Sequence, residues 1–208
     1  GMMPSMLKQY KAVAVAWSIE FGPIILFFIA LSFLGSDDAA FLISTAIFTI
    51  ATAVALATSY ILEKRIAWFP LIAGGSVLLF GIITLAFKNP ELFMVKDTFY
   101  NGFFAVFLLG GAFFDKAMLK PLFIGLFDIQ EKGWFILSVR WGLFFLLLTI
   151  LNEIVWRNYS NDVWVSYKFW STVLTAVFGF YQLTLSKRFR NKEASPLGLR
   201  TSLYRKES

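Results

Sequence analysis

Long apolar runs recur along this chain, and they constrain its fold more than any other feature. A run of about 18 or more apolar residues is a candidate transmembrane helix, because in hydrocarbon the backbone has only itself to bond to. Six runs of about that length cover residues 13–34, 39–62, 68–87, 98–114, 133–153 and 163–186. The expected fold is an all-α polytopic membrane protein with six transmembrane helices. An amphipathic interfacial segment, 115–132, and a basic tail, 187–208, complete it. The alternative is a soluble helical protein with a large core. With 58% of residues hydrophobic and 15% charged, too little polar surface remains for one.

The chain has no Cys and no His. Disulfides, thiol chemistry, the usual zinc sites and imidazole mechanisms are therefore excluded. The net charge of +6 sits mostly in the tail, which points to membrane topology and a lipid surface rather than to nucleic acid. The first apolar run is too long for a signal peptide and lacks a small-residue cleavage site, so it is expected to stay as a helix.

Taken in order, the first span contains Glu20 and Pro23, and a kink is expected near them. Glu20 could alternatively sit near the interface and reach water. Gly35-Ser-Asp37-Asp38 is a tight acidic turn. The second span carries Ala51, Ala53, Ala55 and Ala57, small residues that favour close packing in lipid and, less directly, a pore-lining face. Glu63-Lys64-Arg65 is another turn, and Lys88-Asn-Pro90-Glu91 reads as a loop leading to Lys96-Asp97-Thr98. The fourth span, which includes Asn101, is then at the lower limit for crossing. In 115–132 the apolar residues Leu119, Leu122, Phe123 and Leu126 recur at helical spacing. This fits a helix in the interface, broken at Pro121 and Gly125, or a simple loop. The tail lacks apolar periodicity, so its end is expected to be disordered or to lie along anionic headgroups.

Six crossings put both termini on one side. That side would hold Lys8, Lys11, Lys64, Arg65, three lysines between 116 and 132 and the seven cations of the tail. The other side would hold only Lys88, Lys96 and Arg157. The Lys/Arg excess marks the cytoplasm, so both termini are expected there.

Charges inside spans cost about 2.5–3.5 kcal/mol each on insertion scales and need partners or water. Glu20 and Arg140 lie at similar depth, ~10 Å from the cytoplasmic side, so a Glu20–Arg140 pair is expected. Near the outer end, Lys168 is expected to reach Glu153, which closes span five with Asn152, or to snorkel outward. Such pairs can fix helix register, or they can form a polar path for protons, ions or a lipid headgroup.

Five motifs lie along these spans: Glu20-Phe-Gly-Pro23 with the aromatic run to Phe28; Lys96-Asp97-Thr98; Lys120-Pro121-Leu122; the series Trp134, Arg140, Phe144, Phe145, Asn152, Glu153; and Trp164-Val-Ser-Tyr167-Lys168. On these the chain, over about residues 17–186, resembles the intracellular septation protein A family, the YciB-type inner-membrane proteins of bacteria. Tyr167 stands where the family pattern has Phe, and the basic tail is longer than the pattern. The resemblance implies a place in the bacterial inner membrane and a role in cell-envelope integrity and septation. It implies partners among the elongation and division machinery, and it brings no catalytic residue, cofactor or metal.

The favoured expectation is thus a non-enzymatic membrane protein that binds division or envelope-synthesis proteins, or orders lipid. A small transporter or channel gated by the paired charges is the alternative. An enzyme comes third, because Asp37-Asp38 is a thin acidic signal.

Overall fold

Helix boundaries follow the capping chemistry of the sequence. The computed structural model describes residues 2–64 and 68–200, with side chains described except at 2–6, 8–13, 15–17, 19–20, 63 and 68–69. The elements are α1 (Met2–Leu34), α2 (Asp38–Glu63), α3 (Trp68–Phe87), α4 (Pro90–Phe113), α5 (Leu119–Phe123), α6 (Glu131–Asn158) and α7 (Asn161–Arg188). Helix α1 runs unbroken through Pro23. It ends at Gly35, whose φ of +93° only glycine adopts without strain and whose N–H closes on Leu31 O at 2.8 Å. Asp37 then caps α2, its carboxylate accepting from Ala40 N at 2.8 Å.

Helix α4 differs from the expectation. It begins at Pro90, not near Thr98, because Asn89-Pro90-Glu91 is a helix start rather than a loop. Asn89 Oδ1 accepts from Glu91 N at 3.1 Å. Proline fits the first helical position, where no intrahelical donor is needed, and Glu91 lies in the first turn near the positive end of the helix dipole. The helix therefore has 24 residues, ample to cross a bilayer, and it carries Lys96 and Asp97 inside.

Among the described residues, four helices are long and apolar enough to cross a membrane: Asp38–Leu62, Pro70–Phe87, Pro90–Phe113 and Glu131–Asn158. The apolar stretch Phe21–Leu34 of α1 is shorter, and α7 has the length of a span, at 28 residues, with a more polar composition. There is no strand among the described residues.

The chain forms two compact units. One comprises Gly1–Ala16, Phe104–Phe144 and Val173–Ser208; the other comprises Trp17–Phe103 and Phe145–Thr172. In the second, Phe27, Phe41, Phe48, Phe93 and Trp164 form an aromatic core. Phe27 lies at its centre, fully buried, with ring centroids 5.8, 5.5 and 5.4 Å from Phe41, Phe48 and Phe93. Edge-to-face and tilted contacts of this kind add to the packing that holds helices together in lipid.

Helix α2 packs along α3; of the alanines expected to mediate close packing, Ala53 and Ala57 are exposed and Ala51 and Ala55 half-buried. Its buried face includes Phe41, Ser44, Thr45, Phe48, Thr49, Thr52 and Leu56. Thr45, Thr49 and Thr52 satisfy their hydroxyls on the carbonyls four residues earlier, which removes the cost of carrying them in an apolar helix. The close approach comes from glycines of α3. A Cβ on Gly81 would lie 2.1 Å from Thr49 Oγ1, whereas one on Gly75 would meet nothing within 4 Å. Gly81→Leu is expected to destabilise the protein by about 1–3 kcal/mol, and Gly75→Leu to leave stability nearly unchanged. Denaturant titration in detergent micelles measures both.

In the first unit, Ser138 Oγ bonds Trp134 O at 2.7 Å and receives Leu119 N at 3.1 Å, tying α5 to α6. Phe144 stacks on Phe178 at 4.3 Å. The segment after α4 is interrupted near Gly125, as expected, but not at Pro121. Pro121 sits inside the short α5, the helix stops beyond Phe123 next to Gly125, and 127–130 run extended. Residues 189–200 return onto that extended stretch through two isolated antiparallel bridges, Phe127 with Leu199 and Ile129 with Arg190. The described part of the tail is thus folded, held by backbone pairing that leaves no apolar period in the sequence.

Candidate functional site

The polar residues of the second unit converge on two neighbouring sets of bonds, through Asn152–Thr98 and through Asp97, that together join α4, α6 and α7. Beginning α4 at Pro90 places Met94 and Thr98 one turn apart on the face toward α6. Asn152, fully buried on α6, donates to Met94 O at 3.0 Å and to Thr98 Oγ1 at 2.9 Å. Its carbonyl oxygen accepts from Trp164 Nε1 at 2.9 Å. One amide therefore cross-links three helices, with both its nitrogen and its oxygen engaged. Thr98 passes the network on, its hydroxyl donating to Glu153 Oε1 at 2.7 Å.

Glu153 also receives Trp156 Nε1 at 2.8 Å and pairs with Arg157, four residues on. Lys168 does not reach Glu153 as expected. It donates to Asp97 Oδ2 at 2.8 Å, while Lys96 Nζ takes Oδ1 at 2.6 Å. The reason is positional: Glu153 is already engaged by its own helix, and the longer α4 brings Asp97 inside. Asp97 and Lys96 are 3% and 5% exposed, so the carboxylate and the ammonium are held almost dry. Lys96 Nζ lies 4.8 Å above Phe93 and 5.7 Å above Phe48, a cation–π contact that couples the charges to the aromatic core. Tyr167 donates to Leu148 O at 3.2 Å, and Asn101 lies buried one turn beyond Asp97.

Two other expected residues belong to the first unit. Trp134 is 2% exposed and packs edge-on against Phe127 at 6.5 Å. Arg140 donates to Gln182 Oε1 at 3.2 Å; the side chain of Glu20, its expected partner, lies outside the described residues. Reading 88–97 as a loop hid Lys96 and Asp97 as interior charges, and Asn89-Pro90-Glu91 was the signal that would have revealed them.

Chemically, the network is a set of hydrogen bonds and ion pairs between helices. Among the described residues no group of three His, Cys, Asp or Glu side chains could hold a metal ion.

The residues that build this network, from Lys96-Asp97-Thr98 through Asn152 and Glu153 to Trp164 and Lys168, fall within a match to a known family. The profile of Intracellular septation protein A aligns with residues 15–193. The chain belongs to the intracellular septation protein A family. Similar curated proteins are each called inner membrane-spanning protein YciB. That of Brucella melitensis biotype 1 is 40% identical over 197 residues, covering 89% of this chain and 94% of the relative. That of Brucella suis biovar 1 is 39% identical over the same length and coverage. That of Brucella ovis is 40% identical over 182 residues, 82% of this chain and 83% of the relative. No solved structure matches. As a member of the septation family with several membrane-crossing helices, the chain is a multi-pass inner-membrane protein, and the family's name ties it to septation.

Proposed function

We propose that this protein is a non-enzymatic, six-span membrane protein with both termini in the cytoplasm. In this reading it supports envelope integrity and septation by binding proteins of the division or elongation machinery and by contacting lipid. The observation that carries the reading is the Asp97–Lys96–Lys168 and Asn152–Thr98–Trp164 network. Lys168 ties α7 to Asp97 of α4, and Asn152 ties α6 to Thr98 of α4 and Trp164 of α7, which suits a rigid platform better than a catalyst. In lipid, apolar helices gain little by associating, so interhelical bonds of this kind set their register. The septation family name and the YciB relatives support the cellular role.

Photo-crosslinking residues placed at Tyr159 in the α6–α7 loop and at Ile124 test it in growing cells. Crosslinks to membrane proteins of division or elongation are expected, at either position. Crosslinks to none of these, with growth fully supported, would refute the partner reading. A transporter is the second reading, favoured by one specific observation: ionisable groups lie in the interior of α4 and α7. Purified protein in liposomes separates the two. No flux above that of empty vesicles is expected, and an ion or solute flux abolished by Lys168→Met would establish transport instead.

A further inference from the structure

The folded tail has a chemical use that the helix network does not. Beyond α7 the chain turns back along residues 124–130 and is bonded there at several points. Gln130 N donates to Phe189 O at 2.8 Å, Asp128 N to Gly198 O at 2.8 Å, and Arg200 N to Leu126 O at 2.9 Å. Asn191 bonds Asp128 twice, from its backbone N to Asp128 O at 3.1 Å and from its side chain to Asp128 Oδ1 at 2.6 Å. Ser186 Oγ fixes the turn by donating to Leu197 O at 2.7 Å. Gly198 makes the fold-back possible. Its φ is +79°, and a Cβ there would lie 2.6 Å from Ser186 O.

This clasp sorts charge by exposure. Asp128 is turned inward by Asn191, and Glu131 is paired with Lys120. The cations Lys116, Lys132, Lys187, Arg188, Arg190 and Lys192 are exposed, against Asp115, Glu131 and Glu193 among exposed acids. All lie at the end of the first unit where α4 stops, α6 starts and α7 stops. The same end carries Phe113 and Phe114, 84% and 72% exposed. Exposed cations beside exposed aromatic rings, at the ends of membrane-crossing helices, match an anionic headgroup layer over an acyl layer.

We infer that the clasp of residues 187–200 on 124–130 is a binding surface for the headgroups of anionic phospholipids. This rests on the membrane reading above and names the lipid class it would contact. A disordered basic tail would also attract such lipids. The clasp adds a fixed arrangement, so recognition depends on the fold-back as well as on the number of charges.

Native mass spectrometry of the full chain in detergent, titrated with phosphatidylglycerol or phosphatidylcholine, tests the inference. Phosphatidylglycerol is expected to bind at least tenfold tighter. Lys187→Gln/Arg188→Gln/Lys192→Gln changes only exposed side chains and is expected to abolish that preference, at on the order of fivefold per cation. Gly198→Val keeps every cation and is expected to lose most of the preference by opening the clasp. Lys88→Gln/Arg157→Gln, two cations elsewhere in the chain, is expected to retain it. Unfolding in phosphatidylcholine alone checks that each variant is folded. Equal binding of the two lipids, or a triple variant indistinguishable from the parent, would overturn the inference. Full preference in a folded Gly198→Val protein would overturn the role of the clasp. None of these readouts depends on a protein partner, so failure here and failure of the septation reading are separable.

Discussion

Asp97→Asn is expected to lower unfolding stability by about 3–5 kcal/mol. Both Lys96 and Lys168 donate to this one carboxylate, at 2.6 and 2.8 Å, and the substitution removes the anion while leaving two ammonium groups against a neutral amide. Lys96 has little recourse to water at 5% exposed; Lys168, with its side chain 20% exposed, has more. Lys168→Met should therefore cost less, about 1.5–3 kcal/mol, since Asp97 keeps its bond to Lys96. The double variant Asp97→Asn/Lys168→Met should cost less than the sum of the singles, because the second change removes a charge that the first left stranded. Denaturant titration in micelles gives all three values. Asp97→Asn unfolding with the parent would mean that the carboxylate does not hold the two helices.

Asn152→Leu is expected to cost about 2–4 kcal/mol. Leucine nearly conserves volume, so the loss isolates the hydrogen bonds. Trp164 Nε1 loses its acceptor and Thr98 Oγ1 a donor, in an interior where Asn152 and Trp164 are both fully buried. Trp164→Phe removes only the indole N–H and should cost about 1 kcal/mol. Because the two residues share a bond, Asn152→Leu/Trp164→Phe should be clearly less than additive. Strict additivity in that cycle would show that the Trp164–Asn152 bond contributes nothing to stability.

Much of the helix pattern is legible in the amino-acid sequence. Hydropathy located the runs, and Gly35 and Asp37 marked a boundary that the structure places there. The start of α4 was misread because Glu91, Lys96 and Asp97 lower the local hydropathy. Hydropathy scores residues singly, and it cannot recognise that Lys96 and Asp97 neutralise each other. The partner of Lys168 was misread for a related reason. Depth along a span says which residues share a level, but not which way each side chain faces. Glu153 was the acid expected, and the face of α4 brings Asp97 to Lys168 instead. The alanines of α2 suggested close packing, yet Gly74 and Gly81 of α3 supply the approach, because only the helix rotation tells which small residues meet a neighbour. The clasp left no trace in the pattern, since its bonds are made by backbone atoms of residues far apart in the chain.

The amino-acid sequence alone determined that this chain is helical, membrane-embedded and a member of the septation family. Those properties follow from local composition and from short motifs, and each residue contributes to them independently of its neighbours in space. Only the tertiary structure decided that Asp97 serves two lysines, that Asn152 binds three helices together and that the described part of the basic tail, to residue 200, is folded. Those are pairings, and a pairing in hydrocarbon is selected by which polar groups the packed helices bring within hydrogen-bonding distance, because water is absent to satisfy the ones left over.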